Sequence, residues 1–258
     1  MSESRKRLSV HGLSRLNGGA YDEIAIAGIG MAKADLTVGR LNVQGIGRFA
    51  GSVEAGACYI SGVSSFLRNL KADTLKIDGV SRVRGRLCAR EIACQGTLRV
   101  AEDLACEGLS ACGVWSCRGN VDARKVKIEG AVRLSGVLCA NTINILFDMA
   151  GRVRDIIADN IVIHPAAVNR TSLCKTLSRM VGLRPVIRAR WLEGEDVQID
   201  AVRARRVRAG RVVIGPHCTV DTVEYSESIQ IHPQAHVRLV RNLLTQPSLD
   251  SADPAKAP

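Results

Sequence analysis

Nine cysteines, five histidines and a set of recurring arginines are the residues of this 258-residue chain that could do chemistry. The cysteines stand at 58, 88, 94, 106, 112, 117, 139, 174 and 218, an odd number without one Cys-x-x-Cys pair. Such spacing offers neither a zinc knuckle nor a redox dithiol. Cys58, Cys94 and Cys106 fall where comparable segments carry aliphatic residues or alanine, so they behave as small hydrophobes. Of the histidines (11, 164, 217, 232 and 236), His232 and His236 are four apart in a strand-like region, which does not predict a shared metal face. No acid–base set converges in the sequence, so the expectation is no catalytic residue, no metal, no cofactor and no enzyme.

The arginines are more regular. Arg48, Arg82, Arg99 and Arg133 recur in one column, and Arg203, Arg205, Arg206, Arg208 and Arg211 crowd one short segment. With a net charge of +11, they mark these positions as a candidate basic face for an anionic partner. An anionic membrane surface is one candidate. Nucleic acid is disfavoured, because aromatic residues make up only 3% and few rings are available to stack bases. A solvated surface that prevents lateral aggregation is the plainer reading.

What positions these residues is a ladder of glycines. Gly28, Gly45, Gly62, Gly79, Gly96, Gly113 and Gly130 follow one another at one unvarying interval, a 17-residue period. Aliphatic columns travel with them: Ile24, Leu41, Leu75, Ile92 and Leu109 four residues before, and Leu36, Val53, Leu70, Leu87 and Leu104 eight residues after. A fixed period across several columns is a repeat architecture. Within one unit, Leu75 and Ile77 alternate with Lys76 and Asp78, the period-two pattern of a short strand with one buried face. Gly79 then turns the chain at a position suited to positive φ. Small-residue and polar corners follow near Gly85 and Arg90. Three strands and three corners per unit predict an all-β fold, a triangular parallel β-helix (solenoid) with 17-residue coils. Lyase-like grooves need long loops that these coils lack.

The predicted order is a disordered basic leader over 1–16 and β-helix coils over 17–165. A helical insertion follows over 166–185, with one short amphipathic helix at 171–182. C-terminal coils resume over 186–240, and 241–258 form a disordered tail. No apolar run approaches the roughly 20 residues of a membrane span, and residues 1–20 lack a signal-peptide core, so the expected location is cytoplasmic, with membrane association a candidate.

Gly45–Val53 (GIGRFAGSV), Gly79–Leu87 (GVSRVRGRL) and Gly130–Leu138 (GAVRLSGVL) resemble successive coils of the bactofilins, the polymer-forming cytoskeletal proteins. Trp191–Ile199 (WLEGEDVQI) and Ala204–Tyr225 strengthen the likeness, particularly to the longer Gram-positive form, over about residues 17–232. The chain departs from that pattern in its Gly113 coil (Leu109, Ala111, Trp115, Cys117) and in its arginine content. The resemblance implies a right-handed β-helix that assembles end to end into nucleotide-independent filaments. It also implies a scaffold that positions client proteins near the membrane or cell wall.

Physics supplies a route to such assembly. The end coils of a β-helix carry unpaired backbone groups, and two open ends allow a heterologous contact that propagates. The predicted polymer-end residues are Ile24, Ile26 and Leu36 at one end, and Ile229, Ile231 and Val237 at the other. Two rival readings stand beside this one. The first is an anion-binding module for membrane surfaces or nucleic acid. The second is a hexapeptide-like acyltransferase, suggested by Val212–Val220 (VVIGPHCTV) with His217 as a base. The second needs sustained 18-residue coils, which the 17-residue period does not provide.

Overall fold

The computed structural model of the chain describes residues 6–166 and 185–244, and every regular element within them is a β-strand. The strands pair in parallel into one 19-stranded sheet wound as a solenoid. It makes about 13 turns. At roughly 4.8 Å per turn the rod is about 60 Å long.

The turn beginning at Leu70 shows why this sequence winds. Leu70–Ile77 is one strand with Leu70, Ala72, Leu75 and Ile77 buried and the intervening residues turned outward or half-buried. Its pairing skips Asp73, where the strand bends from one face to the next. Asp78 and Gly79 make the next corner, and Val80–Val83 forms a short strand with Ser81 and Val83 inward. One turn further on, Leu87 lies over Leu70, Ile92 over Leu75 and Cys94 over Ile77. The interior is therefore a set of stacked like-on-like columns. Phe49 and Phe66 occupy one of them, with ring centroids 4.8 Å apart and planes 10° from parallel. Burial of the larger aliphatic side chains is worth about 1.5–3 kcal/mol each. No turn can bury its inner face alone, so that gain comes only from stacking.

The period drifts along the rod. Leu138 pairs with Ile156, a step of 18. Val197 pairs with Val212 at a step of 15, and Val212 with Ile229 at 17. The uniform 17-residue coil thus holds from Ile24 to Leu138 and gives way to variable turns beyond it. Residues 187–199 stack directly on 151–163, so the C-terminal coils continue the same rod. On one side of the undescribed segment the N–H of Ala166 donates to the Phe147 carbonyl, and on the other the Val186 carbonyl accepts from the N–H of Gly151. The helix expected at 171–182 lies outside the described residues.

Residues 6–16, expected as a disordered leader, are instead strands Lys6–Val10 and Leu13–Leu16. Leu8 and Val10 pair with Ile24 and Ile26, and Leu16 with Ala32. This first turn is one residue shorter than the ones after it, so its apolar columns fall out of step with the glycine ladder. At the other end the last strand, His236–Asn242, reaches two residues into the expected tail.

Candidate functional site

The glycine ladder is a matter of close approach more than of backbone handedness. A Cβ on Gly45 or Gly62 would lie 2.0 Å from the carbonyl oxygen of the glycine one turn earlier. On Gly28, Gly79, Gly96, Gly113 or Gly130 the corresponding gap would be 2.1–2.4 Å. Each of these oxygens up to Gly96 accepts the N–H of the residue after the next glycine, as in Val63 to Gly45 and Val80 to Gly62. Of the seven, only Gly113 (φ 131°) and Gly130 (φ 120°) have positive φ. The positive φ expected at Gly79 is not what holds that corner.

The residues expected at the two ends of the rod are placed differently among the described turns. Ile24, Ile26 and Leu36 are interior, 0–2% exposed and paired on both sides: the unexpected strand Lys6–Val10 covers Ile24 and Ile26, and Gly19 lies over Leu36. Among the described residues the outermost turn on that side is Lys6–Leu16, whose Val10 and Leu16 are themselves buried. Ile229, Ile231 and Val237 do lie on the last described turn. They continue the inward columns of Val212, Ile214 and Val220, which are 1% exposed. No strand stacks on them among the described residues. Ile231 is 42% exposed and Val240, in the inward column of Val223, is 43% exposed. Within the described residues, inward-facing aliphatic side chains at such exposure leave a cross-section of the core without a turn over it.

Arg48, Arg82, Arg99 and Arg133 are brought together, and the column is longer than the sequence suggested. Stepwise pairing joins Arg15, Met31, Arg48, Ser65, Arg82, Arg99, Ser116, Arg133, Arg152, Arg188 and Arg203 along one face. Arg133, Arg152, Arg188 and Arg203 occupy four successive turns. All the arginines are exposed, and none forms an ion pair among the described residues. Sequence reasoning missed Arg152 and Arg188 because the coil length changes between them.

The other C-terminal arginines do not extend this column. Arg211 holds Asp196 in a two-pronged pair whose hydrogen bonds and charge keep the Asp196 carboxyl below its usual range, and it also reaches Glu227 at 2.9 Å. Arg206 lies 4.9 Å above the ring of Trp191, whose Nε1 donates to Glu193. Arg208 sits between Glu193 and Glu224 on the neighbouring turns. Arg205 joins Trp191, Arg206 and Asp221 around a shallow open hollow. Nearby, buried Asp155 accepts from Arg190 Nε at 2.8 Å. The expected single patch over 203–211 is thus divided among four environments.

Three of the thiols are held in the protonated form by burial: Cys58, Cys106 and Cys117 are each pushed up to about 12, chiefly by desolvation. His217 sits at a tight turn with φ 60°. His164 Nδ1 meets Asp200 at 2.6 Å, and His232 Nδ1 accepts the N–H of Gln234. Among the described residues no three His, Cys, Asp or Glu side chains are grouped to hold a metal, and no helix is long and apolar enough to cross a membrane.

No family model matches the chain. No solved structure matches it significantly. One curated relative, the "Uncharacterized protein YhbE" of Bacillus subtilis (strain 168), is 39% identical over 62 residues. That match spans 24% of this chain and 26% of the relative's length.

Proposed function

We propose that the protein is a bacterial cytoskeletal scaffold of the bactofilin kind, wound as a right-handed triangular β-helix and assembling end to end without nucleotide. The filament would position client proteins near the membrane or cell wall. The observation that carries this reading is the last described turn, where Ile231 and Val240 continue buried columns yet stand 42% and 43% exposed. Stacking one further turn on that surface would bury apolar area and pair a free strand edge, which is how every other turn in the rod is stabilised. The complementary surface is the edge of Lys6–Val10 and Leu13–Leu16 of a second copy, so the contact is heterologous and propagates.

Negative-stain microscopy of the full chain without nucleotide tests the proposal. Filaments that disappear in Ile231→Arg while the fold persists are the expected result. A protein that stays monomeric on concentration, by sedimentation velocity, overturns it.

A further inference from the structure

The arginine column has a neighbour on the same flat face. Two residues earlier in each short strand stand Leu13, Ile29, Ile46, Val63 and Val80, followed by Thr97 and Val114. They point outward. Ile29, Ile46, Val63, Val80 and Val114 are 39–49% exposed, and Leu13 is 72% exposed. β-propensity alone does not explain this, because the other outward columns are polar or mixed: Thr37, Glu54, Lys71 in one, and Asn42, Tyr59, Lys76 in another. Neither column of this face carries an acid.

We infer that this face docks lengthwise on an anionic lipid surface, with the aliphatic column entering the headgroup boundary and the arginines beside it meeting lipid phosphates. Three observations select that occupant. The arginines have no acidic partner within the described chain, so their charge is uncompensated. Guanidinium groups match phosphate oxygens two at a time. An exposed aliphatic stripe gains by leaving water, which a nucleic acid backbone does not offer it and a bilayer interface does. A second copy is disfavoured, since two such faces would bring arginine columns against each other. The inference does not rest on end-to-end assembly, because the face runs along the side of the rod and Ile231 lies on its terminal turn.

Flotation of the full chain with vesicles tests it, since filaments would sediment by themselves but cannot float. Co-flotation is expected with phosphatidylglycerol–phosphatidylcholine vesicles and not with phosphatidylcholine alone. Arg48→Gln, Arg82→Gln and Arg99→Gln together should lower partitioning on the order of a hundredfold at low salt. Ile46→Thr, Val63→Thr and Val80→Thr keep strand-compatible side chains and should lower it about tenfold or more. Unchanged circular dichroism in both variants confirms that the rod is intact. The idea is overturned if neither vesicle floats the protein, or if the threonine variant floats like the parent. It is equally overturned if a short DNA duplex binds the parent and the threonine variant alike while vesicles do not.

Discussion

Ser64 donates its hydroxyl to Ser81 across 2.9 Å in the interior of the rod, one turn apart, with both residues at most 2% exposed. The pair sits in a column that is Gly47 before it and Leu98 after it. Small polar residues are tolerated there because each satisfies the other and leaves room for Phe49 and Phe66 alongside. Ser81→Ala therefore removes the acceptor and should cost about 1–3 kcal/mol. Ser64→Ala with Ser81→Ala should cost less than the sum of the single changes, since no orphaned hydroxyl is left. A double-mutant cycle from urea unfolding checks this, with additive losses as the contrary result.

A contrast between two glycines tests the account of the corners. Gly79→Ala would place a methyl 2.1 Å from the Gly62 oxygen that accepts the Val80 N–H, and the next nearest atoms, the Ser61 carbonyl oxygen and carbon, are backbone too, so no flexible side chain can give way. A loss of at least about 3 kcal/mol is expected. Gly12 has nothing within 4 Å of a built Cβ, so Gly12→Ala should change stability by less than about 1 kcal/mol. Thermal denaturation of the two variants decides it.

Much of this architecture was legible because a solenoid writes its register into the sequence. Ile60, Ile77 and Cys94 stack at the regular 17-residue step, and the spacing alone places them in one column. Legibility failed where the step changed. Leu8 and Val10 meet Ile24 and Ile26 at a step of 16, so they looked like a leader, and the predicted first end was set one turn too far inward. Trp191 and Arg206 meet only because the local step is 15. The irregular Gly113 coil has a packing explanation: Trp115, 1% exposed, shares its turn with the small Ala111 and Cys117. Its indole nitrogen is buried without a hydrogen-bond partner. The exposed aliphatic column was hidden for a different reason, since periodicity does not say which side of a strand faces water.

Thiol reactivity should follow position in the stack. Cys58 is fully buried and pushed up to about 12 by desolvation, so at pH 8 it has almost no thiolate and no access. Cys88 lies in an outward column and is partly exposed. Iodoacetamide at pH 8 should modify Cys88 in the native protein and Cys58 only after denaturation, as read by peptide mass spectrometry. Native labelling of Cys58 would mean that turn opens.

Acid should weaken the corner that follows the arginine face. Asp103 accepts the Asn120 N–H at 2.9 Å and pairs with Arg86 at 3.3 Å, and these hold its carboxyl below the usual range. A carboxyl lowered in the folded state stabilises it above the unfolded value of about 4. That contribution is lost as pH falls through the lowered folded value. Asp103→Asn keeps an oxygen for the Asn120 N–H, as Asn69 does for Arg86 and Asn120 for Val137. The variant should remain folded at pH 7 and lose less stability than the parent between pH 5 and pH 3, measured by urea midpoints (about the window set by the unfolded carboxylate). A parallel decline in both proteins would contradict the assignment.

The proposed filament contact is best tested by two arginines placed on one inward column. Ile26 and Ile231 both face the axis, but Ile26 is 1% exposed between two turns and Ile231 is 42% exposed at the last. Ile26→Arg forces an unpaired charge into a dry interior, which costs several kcal/mol and should unfold neighbouring turns. Ile231→Arg can extend its charged end into water at the rim, so circular dichroism and melting should be close to those of the parent. What it should remove is assembly, because a second copy stacking there would have to bury the guanidinium. Loss of filaments in both variants with loss of fold only in Ile26→Arg is the expected pair of results. Filaments from a folded Ile231→Arg protein would show that the exposed aliphatic end is not the contact.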